Sequence, residues 1–296
     1  MLADAAKILG DLGGSGIEQL ANRAAGWPLH SIAPSTTRHQ PVISLPGYMA
    51  SDRSPERLNR FLRLQGFNAH PWPLGTNSGP GKTSWNRHFD RVARHLTRQI
   101  RRLADESSSA VSLVGHSLGG IYARELAARL PHEIDRVITL GSPTIHPYKN
   151  ERHNKVIRMA AKLGRQENIL EFGGPRGLLH WTADGPNIPR VAIHSPIDGL
   201  VHEDACHIPG YIVARSHAAA PRENLRVLAT HTGMPVNPWA LLAIADRLLA
   251  DRKRWKSFDP TIYFPLLPCA LLNVVYPRGD DLYRDRGTAA FVAMHR

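Results

Sequence analysis

Ala110-Val111-Ser112-Leu113-Val114-Gly115-His116-Ser117-Leu118-Gly119-Gly120 is the stretch on which the fold turns. Five apolar or small residues run straight into a glycine, the length of a buried strand and too short for a helix. After the turn, Ala123, Leu126, Ala127 and Leu130 recur at spacings of three and four, one face of a helix. Ser117 sits between the two, with Gly115 and Gly119 two residues away on either side. In so tight a strand-to-helix turn the entering and leaving chains approach closely, and a side chain at either flanking position would clash. Gly-x-Ser-x-Gly on its own is a short pattern that chance supplies often. The strand before it and the helix after it give it meaning.

Working outward, the chain alternates strand and helix signals. Pro41-Val42-Ile43-Ser44-Leu45 reads as a first strand, stopped by Pro46-Gly47. Ser54-Pro55 predicts an N-cap and a proline at the first helical position, ahead of Leu58, Phe61 and Leu62 on one face. A second strand is expected within Phe67 to Leu74. Trp85, Phe89, Val92, Leu96, Ile100 and Leu103 draw one apolar helical stripe. Strands three to six are expected at 110–114, 136–140, 190–194 and 224–228. Asn237-Pro238 caps a last clear helix bearing Leu241, Ile244, Ala245 and Leu248. The strand runs are apolar throughout, as strands covered on both faces should be. The class expected is therefore α/β, a mostly parallel sheet with helices on both faces. Residues 1–40 read as an N-terminal helical segment and 41–250 as the core. Residues 145–190 carry no strand signal over a length too great for an ordinary loop, with Val156, Met159, Ala160 and Leu163 at helical spacing. Residues 251–296 form a C-terminal extension without a clear period.

A serine hydroxyl is a poor nucleophile until a base takes its proton and donors hold the oxyanion that forms. The start of the helix after Ser117 offers free N–H groups and a dipole favouring negative charge. The Leu118 N–H is one candidate donor. The second is expected from the loop after the first strand, where the Tyr48 N–H leads and Met49 is the alternative. For a nucleophile on such a turn the chain order is nucleophile, acid, histidine. Asp198 closes the run Ile193-His194-Ser195-Pro196-Ile197-Asp198-Gly199 after the fifth strand and is the candidate acid. The ordinary alternative is a turn aspartate, since Asp-Gly is common in turns. His231 directly follows Arg226-Val227-Leu228-Ala229-Thr230 and precedes the capped helix, the place for the base. Of 16 histidines, His202, His207 and His217 also lie downstream of Ser117, but none directly follows an expected strand.

Composition bounds the partners. The 296 residues carry 37 Lys and Arg against 25 Asp and Glu, a net charge of +12. That excess favours weak contact with anionic surfaces. It is scattered rather than gathered in a tail, so no specific nucleic acid is expected. Two cysteines, Cys206 and Cys269, make no disulfide framework, and whether they pair is left open. His202, Cys206 and His207 lie close together but lack a fourth ligand, so no metal is expected. The N-terminus has no basic region leading into an apolar core, with Asp4 and Asp11 interrupting it, and the stretch from Thr261 to Val275 is too short and proline-broken to span a bilayer. A cytoplasmic location is the expectation. Gly81-Lys82-Thr83 imitates the end of a phosphate-binding loop, but the required earlier glycine falls on Thr76, and Pro80 removes an N–H.

Taken together, Pro46-Gly47-Tyr48, Leu74-Gly75-Thr76-Asn77-Ser78-Gly79-Pro80, Gly115-His116-Ser117-Leu118-Gly119-Gly120, Leu140-Gly141-Ser142-Pro143, Asp198-Gly199 and His231-Thr232-Gly233-Met234 occur in order. The chain thus resembles the bacterial lipase/esterase branch of the α/β-hydrolase superfamily over residues 40 to 250. The resemblance implies that Ser117, His231 and Asp198 hydrolyse a carboxylic ester through an acyl-enzyme, with no cofactor, on a small-molecule or lipid ester substrate. It also implies that residues 145–190 form a cap or lid. Acyl transfer or amide hydrolysis would use the same residues, and a binding protein on a hydrolase scaffold would use none of them. Two features depart from the pattern. Relatives often carry a cysteine after the catalytic histidine, paired with one near Cys206; here that place is Thr232, which implies an unpaired Cys206. The insertion is basic, with Lys149, Arg152, Lys155, Arg158, Lys162 and Arg165, and its apolar face is narrow for a lid that opens onto oil.

Overall fold

A computed structural model describes residues 29–79, 83, 85–143, 187–208 and 220–277, with Gly10 and Gly14. The cap or lid expected at 145–190, apart from its last four residues, and most of the N-terminal segment fall outside the described residues.

Six strands form one parallel sheet: β1 (Pro41–Leu45), β2 (Asn68–Pro71), β3 (Val111–His116), β4 (Ile134–Leu140), β5 (Arg190–His194) and β6 (Arg222–Arg226). Their order across the sheet is β2-β1-β3-β4-β5-β6. Every neighbouring pair is parallel. The helices between them are α1 (Glu56–Leu64), α2 (Trp85–Ser107), α3 (Leu118–Arg129), the short α4 (Glu203–Cys206), α5 (Pro238–Leu249) and α6 (Cys269–Val275). This is the α/β-hydrolase architecture the sequence led us to expect.

Successive residues of a strand point to opposite faces, and here they join two different cores. Ile43, Leu45, Val111, Leu113 and Val137 pack with Phe89, Leu96 and Ile100 of α2 and with Ile121, Tyr122 and Leu126 of α3. Val42, Val114, Ile138, Leu140, Val191 and Ile193 pack with Leu58, Phe61 and Leu62 of α1 and with Leu241, Ile244 and Leu248 of α5. Burial on both sides explains why these strands read as unbroken apolar runs.

Several boundaries differ from the sequence reading. β6 begins and ends two residues earlier than 224–228. It is an edge strand with alternating burial, and its charged residues disguise it: Glu223 is buried and paired with Arg247 of α5 at 2.7 Å. β2, the other edge, is four residues long and stops before the buried Trp72. Ser54 does not cap α1; Pro55 holds the N-cap position, with no side-chain cap bond. Asn237 does cap α5, its Oδ1 accepting from Trp239 N at 3.0 Å and Ala240 N at 3.1 Å. In α3 the residues read as one face, Ala123, Leu126 and Ala127, are buried, while Ala128 and Arg129 are exposed.

The extension after Asp251 has structure that its sequence does not announce. Trp255, Phe258, Tyr263 and Phe264 pack against the α5 side of the core, while Leu272 and Tyr276 are buried. Polar groups tie it down as well. Glu223 accepts from Trp255 Nε1 at 3.1 Å and Phe258 N at 2.7 Å. The Tyr276 hydroxyl donates to the Trp239 carbonyl at 2.9 Å. Cys206 is buried and Cys269 exposed, both as free thiols. Among the described residues no helix is long and apolar enough to cross a membrane.

Candidate active site

Strand order places the site. From β1 the chain steps outward to β2, then returns past β1 to β3 and continues in the opposite direction. The connections therefore diverge between β1 and β3, and a crevice is left at the carboxyl ends of those two strands. Leu45 of β1 is in register with Gly115 of β3, so the loops Pro46-Gly47-Tyr48 and His116-Ser117 emerge side by side.

Ser117 has φ 51° and ψ −120°, a conformation costly for a residue with a side chain. The surroundings hold it there. Its N–H donates to the Leu140 carbonyl at 2.9 Å, and its carbonyl accepts from Gly120 N at 3.0 Å. A Cβ on Gly115 would lie 2.4 Å from the Gly120 Cα, and one on Gly119 would lie 2.3 Å from the Leu45 carbonyl oxygen. Both glycines are thus demanded by close approach.

The β1 loop is braced from a distance. Buried Asn77 donates from Nδ2 to the Pro46 carbonyl at 2.8 Å. Its backbone N–H donates to the Ala50 carbonyl, and its carbonyl accepts from Met49 N, each at 2.8 Å. Met49, at φ 56°, therefore spends its N–H on Asn77, which removes it as the alternative oxyanion donor. The Tyr48 and Leu118 N–H groups have no acceptor among the described residues. Behind Asn77 stand Tyr122 and His88, whose Nε2 lies 2.9 Å from the Tyr122 hydroxyl. Burial, with the charge of Arg91 adding to it, lowers His88 to about 4.

From the other side come the exits of β5 and β6. Asp198 Oδ2 accepts from His231 Nδ1 at 2.7 Å, with side chains 1% and 5% exposed. Its Oδ1 accepts from Leu200 N at 2.8 Å and Val201 N at 2.7 Å. An Nδ1–H donated to the carboxylate leaves the imidazole Nε2 as the acceptor, the tautomer a general base requires. Ser195 joins the two exits: its Oγ accepts from Ile197 N at 3.2 Å and from Ala229 N at 3.1 Å. Gly141, after β4, lies against the pair. A Cβ there would be 2.9 Å from Asp198 Oδ2 and 3.1 Å from His231 Nδ1.

His116 is the contact that sequence reading missed. Its Nε2–H donates to the His231 backbone carbonyl at 2.8 Å, and the two rings lie 4.8 Å apart. Burial, reinforced by the charge His231 can carry, lowers His116 to about 3, so it stays a neutral donor. The only sequence signal was its place before Ser117. The structure thus brings Asp198 and His231 together and gathers Ser117, Leu118 and Tyr48 at the same sheet edge. His207 instead meets His194, their Nε2 atoms 3.0 Å apart, and His202 receives the Asp204 N–H at the start of α4. Among the described residues no three His, Cys, Asp or Glu side chains are grouped to hold a metal ion.

Comparison with known proteins agrees with this architecture. An esterase of Pyrococcus furiosus, in two crystal forms, gives a TM-score of 0.50 in each. One is 17% identical, covering 71% of this chain and 81% of that one; the other is 21% identical, covering 73% and 83%. A soluble variant of the Saccharomyces cerevisiae monoglyceride lipase is 14% identical, with a TM-score of 0.49 and coverage of 73% and 89%. At such identities the likeness shows the fold alone. No curated protein matches the sequence. The alpha/beta hydrolase fold family matches residues 32–184, more than half of the chain. On that match and on the six-stranded parallel sheet, the chain belongs to the alpha/beta hydrolase fold family.

Proposed function

We propose that the protein is a carboxylic-ester hydrolase of the lipase/esterase branch, working through Ser117, His231 and Asp198. The observation that carries this reading is the buried Asp198–His231 hydrogen bond of 2.7 Å at the sheet edge where Ser117 sits on its strained turn. His231 takes the Ser117 proton from its Nε2 face as Oγ attacks the acyl carbonyl. Asp198 fixes the tautomer and stabilises the imidazolium. The unpaired Tyr48 and Leu118 N–H groups receive the oxyanion. His231 then returns the proton to the departing alcohol, and a water activated by the same histidine cleaves the acyl-enzyme. The esterase whose fold this chain shares is consistent with that substrate class.

The test is Ser117→Ala, assayed on p-nitrophenyl butyrate and by labelling with a fluorophosphonate. The reading expects turnover to fall at least about a thousandfold and labelling to vanish. Undiminished turnover would remove Ser117 from the chemistry. A folded wild type that neither labels nor turns over any ester would leave a binding protein on this scaffold.

A further inference from the structure

Residues from Pro260 to Tyr276 contain no charged side chain, and much of that stretch faces solvent. Ile262 is 69% exposed, Leu266 96%, Leu267 39%, Leu271 57% and Val274 56%. These are five of the nine large apolar side chains exposed among the described residues. Scattered exposed leucines need no explanation, but a cluster on one short segment does. The segment is not loose. Phe264 lies 5.4 Å from the Trp239 ring, and Phe258 lies 5.1 Å from Tyr276. A firm aromatic base therefore holds the apolar residues outward.

Position supplies the second observation. The Leu228 N–H, three residues before His231, donates to the Val275 carbonyl at 2.8 Å. Trp239, at the base of the segment, lies in the first turn of α5 at the same carboxyl edge of the sheet. Two of the remaining exposed apolar residues, Met49 and Ile197, sit on the loops after β1 and β5 that flank the site. Charge supplies the third. Lys253, Arg254 and Lys256 are exposed and have no carboxylate partner among the described residues. Lys256 stands two residues from Phe258, at most about 7 Å of extended chain. Asp251 and Asp259 offset part of this charge, and the whole chain remains at +12. An apolar projection beside unpaired cations suits a surface that is oily within and anionic at its rim, into which such a segment sinks by about 5–10 Å.

We propose that residues 260–276, together with the cations at 253–256 that follow the last turn of α5, dock the protein along the α5 flank on an anionic lipid surface. The docking rests on the exposed apolar segment and on the unpaired cations that precede it. The test uses the full chain with vesicles of phosphatidylcholine alone and of phosphatidylcholine mixed with phosphatidylglycerol, read by co-sedimentation. Three proteins are compared: wild type, the double variant Leu266→Ser/Leu271→Ser, and the triple variant Lys253→Glu/Arg254→Glu/Lys256→Glu. Turnover of soluble p-nitrophenyl butyrate is measured on each.

Wild type is expected to bind the mixed vesicles and to bind phosphatidylcholine at least tenfold less. Each leucine change should weaken binding by about tenfold, from the apolar area it withholds. Each charge reversal should weaken it by about 25-fold on the mixed vesicles only, two unit charges at about fivefold each. Butyrate turnover should stay at the wild-type level in both variants. That constancy reports folding and tests the Ser117 chemistry separately from docking. Absence of wild-type binding, or equal binding by the leucine variant, would overturn the proposal. So would a wild-type dimer that the leucine variant converts to monomer, which would assign the face to a second copy of this chain. Unchanged binding by the charge variant would overturn its anionic part.

Discussion

Gly141→Ala tests the Asp198–His231 pair without touching either residue. Two effects act at that position. Gly141 has φ 52°, and a residue with a Cβ in that region costs about 1–2 kcal/mol. The added methyl would also stand 2.9 Å from Asp198 Oδ2, closer than real Cβ atoms come, and 3.1 Å from His231 Nδ1, tighter than most such contacts, so something must move. Asp198 is held by three hydrogen bonds, from Leu200 N, Val201 N and His231. The 2.7 Å bond between Asp198 and His231 therefore lengthens. A misplacement approaching 1 Å at a reacting group costs about a hundredfold, and complete loss of the orienting aspartate about ten-thousandfold. A shift of a few tenths of an ångström therefore predicts a fall in kcat of about ten- to a hundredfold, with KM on p-nitrophenyl butyrate within about twofold. The melting temperature should drop by a few degrees, in line with the backbone cost. Gly141→Ala with wild-type kcat and wild-type fluorophosphonate labelling would refute the view that this pair, in this geometry, drives the chemistry.

Other consequences follow from particular contacts. His116→Phe keeps a ring beside His231 but removes the donor to its carbonyl, and kcat should fall about tenfold, the cost of leaving one buried acceptor unpaired; His116→Gln, which still carries an N–H donor, should recover part of it, and a larger loss in His116→Gln than in His116→Phe would make the role one of packing alone. Burial lowers His116 and His207 to about 3 and His88 to about 4, against an ordinary histidine value of 6.5. The folded state keeps these rings neutral while the unfolded chain protonates them below pH 6.5. Stability should thus fall as pH drops from about 6.5 toward 3, by up to about 1.4 kcal/mol per pH unit for each group. Melting temperatures flat between pH 7 and 4.5 would contradict this. Ser117→Gly should be more stable than Ser117→Ala by about 1 kcal/mol in urea unfolding, because glycine alone accepts φ 51° without strain; the reverse order would mean that the turn is relaxed.

How much of this could be read beforehand depends on how each residue acts. β1 and β5 have the bounds their sequences suggest, because unbroken apolar runs stop abruptly at proline or serine. β6 slipped by two because an edge strand can bury a glutamate if an arginine meets it, and Glu223 looks like loop until Arg247 is beside it. The extension was unreadable because Trp255, Phe258, Tyr263, Phe264 and Tyr276 pack by meeting side chains from elsewhere, not by repeating along one helix face. Asp198 and His231 were nameable because chain order and strand ends constrain them. Asn77, Ser195, His116 and Gly141 were not. The first three act by hydrogen-bonding backbone groups of residues far along the chain, and Gly141 acts by leaving room. No pattern of residue types encodes either before the loops are brought together.

The strained residues explain why those unreadable contacts matter. Among described non-glycine residues, positive φ occurs at His39, Met49, Ser108 and Ser117. Two of the four adjoin the proposed oxyanion donors: Met49 follows Tyr48, and Ser117 precedes Leu118. The ψ of Ser117 sets where the Leu118 N–H points, and the bend at Met49 fixes the loop that carries Tyr48. Each such conformation costs about 1–3 kcal/mol and persists only where neighbours hold it. For Met49 the holder is Asn77, from the loop after β2. For Ser117 it is the Leu140 carbonyl at the end of β4, together with the glycines that let α3 start so close to β1. The backbone that carries both N–H groups is thus held by chain segments on either side of the crevice between β1 and β3. Donors fixed in advance need no reorganisation as the oxyanion forms, which is where such a site gains most over water. The local strain and the remote hydrogen bonds are therefore parts of one arrangement, and loosening Asn77 should cost the site more than it costs the fold.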